Sequence, residues 1–284
     1  GGEPLLYENW EEVAKYASDR NFYVSMISNG MIIDDEMAHK IKKCGIALVA
    51  LSLDGPETYH NELRGSQMAF KNVLKAIASL KKEGVQVNII TTIMKGNLPL
   101  LPEIEKTIST KGVSFWQLQL HMLSEHMEFV IEPNQLLDVK KFILEAKQRN
   151  QIQLTIADSI GYCSQDELIM RNNSSTNGER VYLGCMAGCK AVAIESNGDV
   201  KGCLSLQNER FIEGNIRERS LKDIWTDKKS FNYNRNFNSE SLGGYCSKCV
   251  YANICRGGCT SLAYNTSGHI NNNNYCMHIM EQRW

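Results

Sequence analysis

Ile46-Ala47-Leu48-Val49-Ala50-Leu51-Ser52-Leu53 followed by Asp54-Gly55-Pro56 is a nearly unbroken apolar run that closes on a turn. A strand reads this way when helices cover both faces of a parallel sheet and leave neither for water. The flanks repeat the theme. Upstream, residues 22–27 form a β-type run ending at Ser28-Asn29-Gly30. Asp34 then offers an N-cap, Met37, Ile41 and Cys44 recur at helical spacing, and Gly45 closes the helix. Downstream, Ala69, Phe70, Val73, Ala76, Ile77 and Leu80 predict an amphipathic helix that stops near Gly84. Residues 85–93, 113–120 and 152–156 read as further strands. Helices are predicted around Leu100, Leu101, Ile104 and Ile108, and from Pro133 to about Arg149. Alternation of this kind implies parallel βαβ units. There are too few for a closed eight-fold barrel, so the expected class is α/β, an open or partial barrel. In such barrels the loops after the strands carry the site. Here these are Ser28-Asn29-Gly30, Ser52 to Gly55, and Met94-Lys95-Gly96-Asn97, joined on the same rim by Gly1-Gly2-Glu3-Pro4 ahead of a helix bearing Trp10, Val13, Ala14 and Ala17.

The chain has 284 residues, 43% of them hydrophobic, and a formal net charge of -1. That is enough apolar material for a packed core. The balance of charge gives no electrostatic reason to expect nucleic acid or an anionic membrane as partner. No apolar run approaches the roughly 18 residues of a membrane span.

The polar stretch 163–184 reads as a linker between residues 1–162 and a second domain at 185–284. In the latter, Ala191-Val192-Ala193-Ile194 and Val200-Lys201 flank Asn197-Gly198, a β-hairpin signal. A short helix is predicted at residues 221–225, and the remainder reads as loop between cysteines. Eight of the ten cysteines lie here: Cys185, Cys189, Cys203, Cys246, Cys249, Cys255, Cys259 and Cys276. Eight thiols make two sets of four. Disulfides, structural zinc and iron–sulfur clusters all compete for such a set. Disulfides need an oxidising compartment. Zinc prefers paired C-x2-4-C knuckles, and only Cys246/Cys249 makes a tight one. The x2, x5, x3 spacing with distant partners suits interleaved cluster ligation, in which one cysteine of a run serves the other cluster. Cys44 lies on an apolar helix face and reads as a core thiol. Cys163 stands alone and reads as incidental. His121 and His126 follow a strand end, where a lone histidine is more often structural, and His269 and His278 near Cys276 are not taken as ligands.

Cys185-x12-Gly198-x4-Cys203, then Cys246-x2-Cys249-x5-Cys255-x3-Cys259 and a last cysteine at 276, resembles the SPASM domain of radical SAM enzymes. Gly1-Gly2-Glu3-Pro4 is similar to the GGEP motif of those enzymes, and Ser52 to Pro56 with His60 and Arg64 is similar to their segment for the carboxylate of S-adenosylmethionine (SAM). The resemblance implies a partial (β/α)6 TIM-like barrel lacking its first strands, followed by a small loop-rich iron–sulfur domain. It implies two auxiliary [4Fe–4S] clusters, one on Cys185, Cys189, Cys203 and Cys259, the other on Cys246, Cys249, Cys255 and Cys276. It implies SAM contacts from Gly1, Gly2, Glu3, Pro4, Asn29, Ser52, Asp54 and Arg64. Glu3 suits the SAM ammonium and Arg64 its carboxylate. No catalytic acid or base is assigned.

The family's CxxxCxxC loop, which holds a third, SAM-binding [4Fe–4S] cluster, does not occur in these 284 residues. The expectation is a fragment truncated at GGEP and inactive by itself. The full enzyme is expected to modify a peptide or protein, as in RiPP maturation, through a 5′-deoxyadenosyl radical. Its partners would be a flavodoxin or ferredoxin reductant in an oxygen-poor cytoplasm, with no nucleic acid and no membrane. One alternative is an anaerobic sulfatase-maturing, formylglycine-forming enzyme, disfavoured because Leu204 stands where those members carry an aspartate after the third SPASM cysteine. The other is a non-catalytic iron–sulfur peptide-binding or electron-transfer protein.

Overall fold

The structure, a computed structural model, describes residues 2–122, 124–172 and 180–283. Gly1 and the middle of the expected 163–184 linker lie outside the described residues. The chain divides into two compact units. The first holds helices α1 (Trp10–Ser18), α2 (Asp35–Lys43), α3 (Glu57–Arg64), α4 (Ala69–Lys82) and α5 (Leu101–Ser109), and most of α6 (Leu136–Arg149). It also holds strands β1 (Val24–Ser28), β2 (Ile46–Ser52), β3 (Gln86–Ile93), β4 (Phe115–Leu120) and β5 (Leu154–Ile156). The strands form one sheet in the order β1-β2-β3-β4-β5, every neighbour parallel. Strictly sequential parallel order is that of a barrel wall, and the sheet is open. Ser28 pairs with Leu51, Ser52 with Ile90 and Thr92 with Gln119, so the C-terminal ends of β1 to β4 lie along one edge.

Local chemistry explains the helices. Asp34 caps α2 by accepting the Met37 amide at 2.9 Å, and Gly45 leaves the helix at φ +79°, a conformation a side chain would resist. In α4, Ala69, Val73, Ala76, Ile77 and Leu80 are buried. Helix α3 was not expected from the sequence, because its apolar face is short: it buries only His60 and Asn61.

Two-sided burial holds on β2, where Val49, Ala50 and Leu51 are consecutive buried residues. On β3 and β4 burial alternates residue by residue. Helices therefore cover one face there, and the other is only half-buried. The covered face contains a hydrogen-bond relay. Thr91 donates its hydroxyl to the Leu53 carbonyl at 2.6 Å and accepts the Trp116 indole N–H at 2.8 Å. Trp116 also meets Phe142 of α6 edge-on, with ring centroids 5.7 Å apart.

The second unit comprises His121–Lys140, Asp158–Arg171 and the cysteine-rich C-terminal part. It contains α7 (Glu167–Arg171) and a three-stranded antiparallel sheet, β6 (Ala193–Ile194), β7 (Asp199–Lys201) and β8 (Gly214–Asn215). Gly198 at φ +95° makes the expected hairpin turn between β6 and β7. Val200, Ile224 and Phe231 form a small apolar core. Helices α8 (Leu221–Thr226), α9 (Asn232–Arg235), α10 (Ala252–Cys255), α11 (Thr260–Ser267) and α12 (Met277–Arg283) complete it. The last three fall where the sequence reads as loop, since cysteine and asparagine mask helical periodicity. No helix among the described residues is long and apolar enough to cross a membrane.

Replacing Thr91 with Val strands both the Trp116 N–H and the Leu53 carbonyl in the core. The unfolding free energy should fall by about 1–3 kcal/mol, measured by chemical denaturation.

Candidate cofactor sites on the strand-end rim and among the cysteines

Glu3 precedes a 3-10 turn that starts at Pro4. One carboxylate oxygen accepts the Leu5 amide at 3.3 Å, the other the Asn29 amide at 2.8 Å. The motif is thus clamped to the loop after β1, with the carboxylate half-exposed. A Cβ at Gly2 would meet nothing within 4 Å, so that glycine leaves open space beside the carboxylate. The Asn29 side chain accepts the Met31 amide at 2.8 Å, shaping its own turn. Ser52, at the end of β2, is half-buried.

Asp54 is the hub of this rim and is 2% exposed. Its Oδ1 accepts the Thr92 amide at 2.9 Å, and its Oδ2 receives the Arg64 guanidinium, with Nε at 3.2 Å. Its backbone amide donates to His60 Nδ1 at 3.2 Å. Its carbonyl accepts from Asn97 Nδ2 at 2.8 Å, and the same Nδ2 bridges to the Thr92 carbonyl. The loops after β2 and β3 are therefore one hydrogen-bonded block. Arg64 spends two N–H groups on Asp54, and its side chain keeps 35% exposure. Arg64 and Asp54 are brought together as one ion pair, so Asp54 acts by aiming Arg64. Burial drives the His60 pKa down from 6.5 to about 4, so the ring is neutral and accepts at Nδ1.

The half-buried face of β3 and β4 carries polar residues that sequence reasoning passed over: Asn88, Thr92, Gln117 and Gln119. Gln119 donates to Thr92 at 3.1 Å, while the Asn88 side-chain oxygen is buried with no partner. Their period of two was legible; that they line an open face was not.

All ten cysteines are free thiols. Cys44 is buried in the first unit, as expected. Cys246, Cys249, Cys255 and Cys276 wall one cavity together with Tyr162, Tyr245 and Asn273. Among the described residues, no three Cys, His, Asp or Glu side chains converge on a single ion-sized point. Cys163 also lines it, beside Cys255. The reading of Cys163 as incidental is therefore wrong; a separation of 92 residues hid the proximity. Cys259 has the Cys185 and Cys203 sulfurs as neighbours. Cys189 follows Cys185 in a tight turn, its amide donating to the Met186 carbonyl at 3.0 Å.

The donor chemistry fits iron–sulfur ligation, in which N–H groups pointed at sulfur stabilise the anionic centre. Nearby backbone N–H groups favour the anionic sulfur of Cys255 (Gly257), Cys276 (His278 and Ile279), Cys246 (Asn273) and Cys259 (Leu262), while the Gly258 amide donates to the Cys255 carbonyl at 2.9 Å. Arg256, Gly257 and Gly258 all have positive φ, which turns consecutive N–H groups the same way. Burial pushes the Cys259 and Cys276 thiols up to about 12, so only a compensating positive charge would make them thiolates. The Tyr182 hydroxyl is buried without a partner near Cys185 and Cys259. An orphaned donor there fits a sulfur-rich acceptor. Tyr182 packs on Tyr162, ring centroids 5.1 Å apart, and Tyr162 borders the other cysteine group.

Two measurements check these geometries. A Cβ at Gly258 would stand 2.6 Å from the buried Tyr162 ring, at φ +77°. Gly258→Ala should cost the protein the iron held beside Cys255, read by iron analysis after anaerobic reconstitution. His60 protonates near 6.5 when unfolded and near 4 when folded. Between those values the unfolded chain binds the extra proton, so stability falls as pH drops through that window, by up to about 3 kcal/mol. His60→Asn should flatten this dependence in denaturation titrations.

Residues 1–109 match the radical SAM superfamily, and residues 185–250 match an iron–sulfur cluster-binding domain, SPASM. The chain is 27% identical to the AdoMet-dependent heme synthase of Oleidesulfovibrio alaskensis over 94% of its length and 70% of that protein's. It is 24% identical to the cysteine-type anaerobic sulfatase-maturating enzyme of Clostridium perfringens over 91% of its length and 72% of the relative's. In fold it is similar to Streptococcus suis SuiB bound to its precursor peptide SuiA, with TM-score 0.74 and 17% identity over 96% of this chain and 63% of that one. The clamped Glu3 motif and the strand-end rim thus fall in the stretch that matches the radical SAM superfamily, and the cysteines from Cys185 to Cys249 fall in the stretch that matches SPASM.

Proposed function

We propose that this chain bears the SAM contacts and two auxiliary [4Fe–4S] clusters of an enzyme that modifies a peptide or protein. The observation that carries the cluster reading is the one cavity lined by Cys246, Cys249, Cys255 and Cys276. The second set is Cys185, Cys189, Cys203 and Cys259, supported by the neighbouring sulfurs of three of them and by the orphaned Tyr182 hydroxyl. No CxxxCxxC spacing, the family's ligand set for a SAM-binding cluster, occurs in these 284 residues. When bound, reduced iron–sulfur and SAM together supply a 5′-deoxyadenosyl radical able to abstract hydrogen. Glu3, fixed by two amides, holds the SAM ammonium by a charge-assisted hydrogen bond. Gly2 and Pro4 shape the approach, and Asn29 and Ser52 line it. Asp54 keeps the Arg64 fork oriented toward the SAM carboxylate. A flavodoxin or ferredoxin in the cytoplasm would supply the electron.

A peptide or protein substrate is supported by the sulfatase-maturating relative and by the SuiB–SuiA fold neighbour. Leu204, 49% exposed beside Cys203, stands where sulfatase-maturing members carry their aspartate, which favours another peptide modification over formylglycine formation. A second reading, action on a heme precursor, is favoured by the 27% identity to a heme synthase.

The test is to supply the reconstituted full-length enzyme with SAM, reductant and either a peptide encoded beside its gene or a carboxylated iron porphyrin. A peptide that loses two hydrogens with matching 5′-deoxyadenosine supports the first reading. Porphyrin decarboxylation would replace it with the second. Glu3→Gln should weaken SAM binding about tenfold by calorimetry, or about 1.4 kcal/mol.

A further inference from the structure

A second cavity of about 440 Å³ lies in the C-terminal unit, between the end of α11 and residues 241–243, with no cysteine in its wall. That wall is cross-braced. The Asn271 side chain donates to the Ser241 carbonyl at 3.0 Å, and the Gly243 amide donates to the Asn271 carbonyl at 2.9 Å. The Asn272 carbonyl accepts the Ser267 hydroxyl at 2.9 Å. These carbonyl acceptors are thus occupied from within. The donors are not. Ile270 and Asn271 are half-buried, and their amides have no hydrogen-bond partner among the described residues. Arg210 completes the wall. Its guanidinium lies over two rings, 4.9 Å from the Phe211 centroid and 5.0 Å from that of Tyr264, and those rings meet edge-on. It has no carboxylate partner among the described residues. No Asp or Glu lines the cavity; Glu209 and Glu240, next in sequence to Arg210 and Ser241, stay out of its wall.

We propose that this cavity is an anion site, in which Arg210 and the Ile270 and Asn271 amides bind a carboxylate or phosphate group of a small ligand. Backbone polar groups withdrawn from water need partners, and the groups without one here are all donors. A donor-only set without a neighbouring carboxylate selects an oxyanion. A guanidinium held against aromatic rings keeps its N–H fork pre-organised for two oxygens of one anion, so less freedom is lost on binding. The volume falls in the range of small-molecule pockets, which is more than a bare ion needs. The site goes beyond the function proposed above and stands apart from it. It uses no cysteine and none of the residues proposed to meet SAM.

The experiment is titration calorimetry on the anaerobically reconstituted protein. The probes are inorganic phosphate and an end-blocked Gly-Glu-Gly peptide, with end-blocked Gly-Gln-Gly as the neutral control. At least one anion should bind with a Kd tighter than about 1 mM, while the control does not bind. Phosphate alone would mark the ligand as a phosphate, the glutamyl peptide alone as a carboxylate, and binding of both as any small oxyanion; each supports the site. Arg210→Gln should weaken binding about tenfold, and Arg210→Lys, which keeps the charge without the fork, by less. Arg210 is exposed, so both variants should keep wild-type iron content and unfolding midpoint, which separates loss of the site from loss of the fold. Failure of both anions to bind, equal binding of the neutral peptide, or unchanged affinity in Arg210→Gln would overturn the proposal.

Discussion

Buried sulfur is the constraint on which the C-terminal unit depends. Its apolar interior includes the cluster of Val200, Ile224 and Phe231 and also buries Leu206, Phe211, Leu262, Met277 and Ile279. Set among these are buried thiols and a phenol: Cys246, Cys255, Cys259, Cys276 and Tyr162. Burial penalises the thiolate, as the raised Cys259 and Cys276 thiols show. Such an interior is stable as thiols or as ligands, and not as free anions. Nearby backbone N–H groups favour the anionic form, which is the form that binds metal. The same residues thus fold the unit and shape it for an inorganic guest, in the way small metallo-domains couple binding to folding.

The barrel unit solves a different problem. A radical-generating site needs charged groups at fixed places on loops, and loops are the least rigid part of an α/β fold. Here rigidity comes from Asp54 and Asn97, two buried polar side chains that tie the ends of β2 and β3 into one block. Glu3 does the same for the N-terminal turn and the loop after β1. Each residue with a proposed ligand contact therefore also has a structural duty, which is why the mutational tests need readouts beyond folding.

The parallel strands, their order of appearance and the hairpin at Asn197-Gly198 were legible in the sequence, because apolar period and turn chemistry are local. Helices α10 to α12 and the two-residue β8 were not, since their residues are held by neighbours rather than by propensity. The cysteine spacing gave the resemblance to SPASM domains, and the cavity gathers one expected set of four. The assignment of Cys163 failed because proximity across 92 residues has no local signature.

What the sequence by itself determined is the class of chemistry: eight sulfurs at characteristic spacings, a GGEP motif and an α/β alternation specify a radical SAM domain with a SPASM domain. What only the tertiary structure decided is how individual side chains are used. It turned Arg64 onto Asp54, left the Asn88 oxygen and the Tyr182 hydroxyl buried without partners, and set Cys163 into the cavity that Cys255 lines. Spacing fixes which atoms are available, but burial and hydrogen-bond direction fix what they can do, and both arise only once distant segments share one interior.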